Sequence, residues 1–443
     1  MFDWLGMSAA QLGRGIQDGA IDPVALTKAF LGAIDSHDAR DRIYSVVTHD
    51  RALAEAEAAA ERARAGHRLS LLDGVPISWK DLFDTAGIVT EAGSKLLEGR
   101  VPTHDAEVVR NATALGLVCL GKTHMSELAF SGLGLNPMTE TPPCINDPKA
   151  VPGGSSSGAA ASVAFGLAAA GMGSDTGGSV RIPSAWNDLV GLKTTSGRVS
   201  AKGVVALCEK FDTVGPLCRT VEDAALFLAV LEGERPIDLR GAGLQGKRFA
   251  VLETAAFDDI REAPLAGFNS AVDRLRHLGA EVDTIAAPEV EEALALSGPL
   301  FTAEAYGTWR DVIEAHPEKM FDQILERFRI GASFDGPSYV SAWHALARLR
   351  EIWDARVAGY DAVLLPTSPI LPPDAERLMT DQDYYVVENL LALRNTRIGN
   401  LMGVCAMSLP TDVPSCGLMM FGAPMQEERL LRTAFAVETA LKA

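Results

Sequence analysis

Apolar residues recur at helical spacing in some stretches of the chain and in short unbroken runs in others, and this contrast sets the expected elements. Asp22 before Pro23 supplies an N-cap and a first helical residue, which predicts an amphipathic helix over 22–36. A second helix over 50–65 is rich in Ala, Glu and Arg and stops at Gly66. From Gly74 the texture changes. Apolar runs at 75–79 and 117–120 alternate with a helical stretch at 106–115, the pattern of a parallel-rich sheet. Residues 142–158 read as a Pro/Gly/Ser loop, followed by a helix of small residues and a Gly-rich turn over 171–179. Farther on, 248–252, 264–278 and 280–285 form a strand–helix–strand unit. The stretch 288–360 is mostly helical and carries Tyr306, Trp309, Phe321, Phe328, Trp343 and Trp353. Late strands follow at 361–365, 404–409 and 416–420, and an amphipathic helix over 426–441 closes the chain. No internal repeat and no linker interrupts the series, so 1–443 reads as a single large mixed α/β domain.

The 443 residues are 47% hydrophobic and 22% charged, values of a globular chain large enough to bury its own core. With 40 Lys and Arg against 58 Asp and Glu the formal charge is −18. Nucleic-acid binding runs on neutralising phosphates, so this balance argues against it. Cys119, Cys144, Cys208, Cys218, Cys405 and Cys416 show neither C-x-x-C pairing nor zinc spacing and read as buried thiols of a reducing compartment. The amino terminus has no basic segment followed by a long apolar one, and the small-apolar run 159–172 is too short to span a bilayer. A cytoplasmic protein without a membrane partner is expected. The eight histidines are scattered, and no metal is implied.

Two motif matches fail on context. Residues 116–123, GLVCLGKT, fit the P-loop expression, but strand formers fill the part that has to curl around phosphates. Residues 154–158, GSSSG, fit the nucleophile elbow, yet the preceding PKAVPG cannot be a central strand and no histidine sits in a usable setting. Three other segments gain meaning together. LDGVPISWKD places Lys80 at the end of an apolar strand flanked by Trp79 and Leu82, PGGSSSG presents three serines, and GSDTGGS leads Ser179 into a helix-like segment. Free N–H groups at a helix start, with Gly177 and Gly178 leaving room for a carbonyl oxygen, have the layout of an oxyanion hole. A nucleophilic serine there needs a base. A lysine serves if burial lowers its pKa from about 10.4 toward neutrality.

These segments resemble the amidase signature family, over 74–84, 122–136 and above all 152–200 without a gap, and more weakly from Asn400 to Leu431. The fold that the resemblance implies is a large mixed β-sheet between layers of α-helices, with core motifs at 70–200 and a specificity-determining helical region at about 288–360. The implied activity is hydrolysis of a carboxylic amide through an acyl-enzyme, without a cofactor. It implies Ser179 as nucleophile, Ser155 as bridging serine beside a cis peptide, and Lys80 as base. The N–H groups of Thr176, Gly177, Gly178 and Ser179 would form the oxyanion hole. Ser156 would support Lys80 by hydrogen bonding, and Asp175 and Arg181 form a structural pair. The expected partner is a small-molecule amide, with a homodimer allowed. Its pocket is expected between Met125 and Asn136 and near Tyr306, Trp309, Phe334 and Trp343. Ser157, Asn187-Asp188 and Thr194 depart from the usual Gly, Cys-Gly and Pro of the family, without touching the three catalytic positions. The alternatives are the A subunit of a glutamine-dependent tRNA amidotransferase and a non-catalytic scaffold that kept the fold.

Overall fold

A computed structural model describes residues 4–442; Met1, Phe2, Asp3 and Ala443 lie outside it, and with them the first residues of the amino-terminal stretch read above. Among the described residues eleven strands form one sheet: β1 (Tyr44–Val47), β2 (Pro76–Lys80), β3 (Val118–Thr123), β4 (Ala170–Asp175), β5 (Val190–Lys193), β6 (Thr213–Cys218), β7 (Arg248–Leu252), β8 (Glu281–Ile285), β9 (Ala362–Pro366), β10 (Ala406–Pro410) and β11 (Gly417–Phe421). Their spatial order is β1-β3-β2-β4-β6-β5-β10-β11-β9-β7-β8. The sheet is parallel within β3-β2-β4 and within β9-β7-β8, and antiparallel across the middle. The fold is therefore the large mixed sheet with helical layers that the resemblance implies.

Two side-chain faces follow from the twofold period of a strand. On β2, Ile77 and Trp79 join the main apolar core. Ser78 and Lys80 point the other way, toward the Ser157–Ala164 helix, where Ser78 Oγ meets Ser162 Oγ at 2.8 Å. Leu217 of β6 lies on that second face with Ala159, Ala160 and Val163, while Val214 and Cys218 belong to the main core. Glycine lets the helix settle this close. A Cβ on Gly171 of β4 would stand 2.6 Å from the carbonyl oxygen of Ala159.

The expected helices form at Pro23–Ser36, His49–Ala65, Glu107–Ala114, Glu262–His277 and Glu427–Lys442, and the stretch after Pro288 is mostly helical. The Gly-rich turn over 171–179 is a correction: its first half is central strand β4, because two glycines there serve helix packing rather than a turn. The P-loop look-alike is β3, with Lys122 buried against Asp81 Oδ1, Phe83 O and Thr90 Oγ1. The helix Val221–Glu232 escaped the reading because it is buried nearly all round and has no polar stripe. The Gln382–Leu401 helix escaped because it buries polar residues, Asn389, Asn395, Thr396 and Asn400 among them.

Adding a methyl group at Gly171 forces backbone apart, so Gly171→Ala is expected to lower stability by about 1–3 kcal/mol, the usual cost of overpacking. Urea denaturation of the two proteins checks this, and an unchanged midpoint would contradict the close helix–strand contact.

Candidate active site

Because β2 and β4 run parallel as neighbours, their carboxyl-terminal ends lie side by side, with Trp79 opposite Met172. Lys80 ends β2 and is fully buried. Its ammonium donates to Ser155 Oγ at 2.7 Å and to Ser174 Oγ at 2.8 Å. Burial pushes the Lys80 ammonium down to about 7, against the opposing pull of Asp212 and Asp175. Trp79, expected to bury this lysine, lies on the other face of the strand and packs edge-on against Phe83. The small-residue helix and the two serines enclose Lys80 instead. Ser156, expected to support it, bonds the backbone of Ser174, donating to the carbonyl at 3.2 Å and accepting the N–H at 3.3 Å. Ser174 holds the position on Lys80 that was expected for Ser156.

Beyond Asp175 the chain turns sharply before the short Arg181–Trp186 helix. Asp175 organises the turn. Its Oδ1 accepts the Gly178 N–H at 2.9 Å, its Oδ2 the Val180 N–H at 3.1 Å, and Arg181 closes on both oxygens at 2.9 and 3.0 Å. Desolvation alone would raise the Asp175 pKa, but Arg181 and the added bond from Asn400 hold it well below the ordinary carboxylate value. Arg181 also donates to Asn400 Oδ1 and Thr396 O, so the Gln382–Leu401 helix grips the turn from outside. Gly178, expected among the oxyanion donors, has its N–H engaged by Asp175. Its φ is +143°, and a Cβ there would stand 2.2 Å from Thr396 Oγ1. Among the described residues the N–H groups of Thr176, Gly177 and Ser179 meet no acceptor within the chain.

The serine loop is pinned on both sides. Gly153 and Gly154 donate to Leu133 O and Gly132 O, Ser126 donates to Ser155 O, and Ser156 N–H reaches Ser179 O at 3.3 Å. The Gly154–Ser155 peptide bond is cis. Thr176, Gly177 and Ser179 open onto a cavity of about 360 Å³. Ala129, Phe130 and Ser131 line it, as the expected segment 125–136 predicts. Tyr306, Trp309, Phe334 and Trp343 do not. Trp309 donates to Ala206 O, and Trp343 stacks on Phe211, so these rings support the wall instead of forming it. The helical region contributes Phe301, Thr302 and Arg327, and the unforeseen Gln382–Leu401 helix adds Tyr385, Asn389 and Arg397.

Asp212 was also missed. Burial raises its carboxyl to about 6, although it accepts the Thr176 hydroxyl at 2.5 Å and the N–H groups of Leu207 and Cys208. Nothing local in the sequence marks Asp212 or Ser174, since the approach of separate strands gives each its role. The departures at 187 and 188 are accommodated. Asn187 bridges Pro152 O and Pro183 O, and Asp188, at φ +54°, accepts the Ser415 N–H at 2.8 Å. Among the described residues no group of His, Cys, Asp and Glu is gathered to hold a metal ion, and no helix is long and apolar enough to cross a membrane.

The Amidase family profile matches residues 25–431. The chain is 32% identical to the A subunit of the glutamyl-tRNA(Gln) amidotransferase of Anaeromyxobacter dehalogenans (strain 2CP-C), over 99% of its own length and 96% of the relative's. It is 35% identical to a 2-amino-5-chloromuconic acid deaminase of Comamonas testosteroni, over 93% and 92% of the two chains. A crystal structure of an amidase superposes with a TM-score of 0.88 at 29% identity, covering 98% of this chain and 100% of that one.

The state of Lys80 has a thermodynamic consequence. The folded chain gives up the Lys80 proton near 7, whereas the unfolded chain keeps it to about 10.4. Between those values the unfolded state binds more protons, so stability rises with pH; below about 7 the full penalty of the buried charge remains. In Lys80→Met this rise is expected to disappear. Urea titrations of both proteins at several pH values between about 7 and 10 measure it as a difference, which cancels the similar slopes of Lys122 and Lys193. Parallel curves would show that Lys80 keeps an ordinary pKa.

Proposed function

The chain belongs to the Amidase family, and on that footing we propose that it hydrolyses a carboxylic amide to an acid and ammonia or an amine through an acyl-enzyme on Ser179. The observation that carries this reading is the buried Lys80, in contact with Ser155 and shifted to about 7, next to a cavity onto which Ser179 opens. About half of such lysines are neutral at pH 7, and a neutral amine accepts a proton where an ordinary lysine cannot.

In the proposed cycle Lys80 Nζ takes the Ser155 hydroxyl proton as Ser155 takes that of Ser179. The Ser179 oxygen attacks the amide carbon, and the negative charge moves to the carbonyl oxygen. The N–H groups of Thr176, Gly177 and Ser179 stabilise that oxyanion; Gly178, with its N–H held by Asp175, is left out of the set. Collapse breaks the C–N bond while Ser155 gives a proton to the leaving nitrogen and recovers one from Lys80. Water then attacks the ester, losing a proton to the same pair, and the C–O bond to Ser179 breaks as Ser179 takes that proton back through Ser155, which releases the acid and restores the serine. Asp175, Arg181, Ser156 and Ser174 position these groups without touching substrate.

A second reading, the A subunit of a glutamine-dependent tRNA amidotransferase, is favoured by the match to relatives that carry that name. The acidic balance of this chain, −18, fits poorly with docking on tRNA, and we place the stand-alone hydrolase first. A non-catalytic scaffold is the third, and the retention of Lys80, Ser155 and Ser179 speaks against it. Ammonia release by the purified chain alone, over aliphatic, aromatic and ureido amides and glutamine, separates the first reading from the other two: turnover without partner subunits supports it, and none at all favours the others.

Ser179→Ala is expected to lower kcat by at least about a thousandfold with the fold retained, since only binding and the oxyanion donors remain. For the parent, kcat/KM should rise with pH through one ionisation near 7 and stay high on the alkaline side, because the deprotonated lysine is the active form. Lys80→Arg should be nearly as damaging as Lys80→Ala, since a guanidinium does not deprotonate in this range. An Lys80→Arg enzyme with substantial activity and the parental pH profile would make the lysine a positioning charge and overturn the base assignment.

A further inference from the structure

The cavity beside Ser179 holds two arginines with no anion of their own. Arg327 projects from the Asp322–Arg329 helix and Arg397 from the Gln382–Leu401 helix, and both line the cavity. Other partly buried arginines are bonded either to carboxylates, as Arg62 is to Asp73 and Arg198 to Glu232 and Glu427, or to backbone carbonyls, as Arg68 is to Gly13 O and Arg350 to Leu401 O. Arg327 and Arg397 join no ion pair among the described residues. Arg327 Nη1 is buried without a hydrogen-bond partner, and its guanidinium carbon lies 4.5 Å from the centre of the Phe130 ring. Arg397 sits 6.0 Å over the Phe301 ring.

The electrostatics agree with the geometry. Burial depresses the Arg397 pKa, and the neighbouring Arg327 depresses it further. For Arg327 burial dominates, opposed only by Tyr385 and Cys208. One carboxylate lines the cavity, that of Glu326, but it is on an exposed residue and accepts from Gln382. Two desolvated like charges, each against an aromatic ring, are costly to hold in an empty cavity. A planar anion that bonds both guanidiniums would offset that cost, and a carboxylate has the matching fork.

We propose that Arg327 and Arg397 form a carboxylate subsite, so that the substrate is an amide carrying a carboxylate in its acyl part, as in the monoamide of a short dicarboxylic acid. This rests on the hydrolase reading above and adds the substrate class to it. The remaining lining suits the same ligand: Ser131 and Asn389 are neutral polar groups, and Phe130, Phe301 and Leu393 enclose the carbon chain. A substrate with an ammonium beside its carboxylate, such as glutamine, would bring a third cation to a place where two already lack a partner.

The test compares monoamides with diamides of the same chain length, succinamate against succinamide and glutaramate against glutaramide. The parent enzyme should favour the monoamide in kcat/KM by about a hundredfold, and in Arg397→Met or Arg327→Met this preference should fall to within about threefold, mainly through KM. A parent ratio near one, or a ratio unchanged in both variants, overturns the subsite. A binding arm separates this failure from failure of the hydrolase reading. Calorimetry on Ser179→Ala should detect succinate or glutarate, and adding Arg397→Met should abolish the signal. Arginine-dependent binding without turnover of any amide would keep the subsite and remove the hydrolase. Equal turnover of neutral and anionic amides, with no binding of dicarboxylate, would keep the hydrolase and remove the subsite. Thermal melts of the arginine variants identify a misfolded protein, and in that event the parent's substrate ratio and dicarboxylate binding decide alone.

Discussion

The buried pair of Asp175 and Arg181 is the contact on which the site geometry depends. An ionised carboxylate and a guanidinium taken wholly out of water are tolerated only if almost every lone pair and N–H finds a partner. Here Asp175 accepts from Gly178, Val180, Arg181 and Asn400, and Arg181 also reaches Thr396 O and Asn400 Oδ1. Meeting that demand bends the chain after β4 into one conformation. The N–H groups of 178 and 180 turn inward to the carboxylate, and those of 176, 177 and 179 are left facing the cavity. The division of the turn into structural and available donors is thus a by-product of neutralising one buried charge.

Lys80 reaches its state by the opposite route, since it has no carboxylate in contact. It lies on the β2 face that meets a helix of small residues, and its near neighbours are hydroxyls. Hydroxyls satisfy an amine or an ammonium about equally, so burial outweighs the more distant pull of Asp212 and Asp175 and favours the neutral form. Lys122, on the neighbouring strand and just as buried, is bonded to Asp81. Burial lowers the pKa of both lysines, and they differ in what they touch, a carboxylate for Lys122 and only hydroxyls for Lys80.

The cavity reverses the charge of the molecule that contains it. The chain carries an excess of eighteen acidic residues, yet the cavity that Thr176, Gly177 and Ser179 line is also lined by two guanidiniums that join no ion pair among the described residues. Global charge governs association with large polyanions, whereas selection of a small ligand is set within a few ångströms by groups cut off from solvent. An acidic protein with an anion-accepting cavity is therefore consistent electrostatics.

Where residues adjacent in sequence act together, the sequence alone was enough. The period of apolar positions located the flanking helices and the late strands, and the glycines and serines of 152–158 and 173–179, with the lysine closing 75–80, marked the segments that meet in space. The family resemblance assigned them roles. Local pattern could not reach contacts made by distant segments. Ser174 displaces Ser156 on Lys80 because β2 and β4 run parallel in a given register, and Trp79 fails to bury Lys80 because successive side chains on a strand face opposite ways. The N–H of Gly178, expected among the oxyanion donors, is bonded to Asp175 instead. The expected aromatic pocket wall became Phe130, Phe301 and a helix over 382–401 whose buried face is polar and so invisible to a search for apolar stripes. Hydrophobic period is a one-dimensional quantity and survives in the sequence. The burial of a charge, and the identity of the group that compensates it, are set only when chain segments more than two hundred residues apart come together.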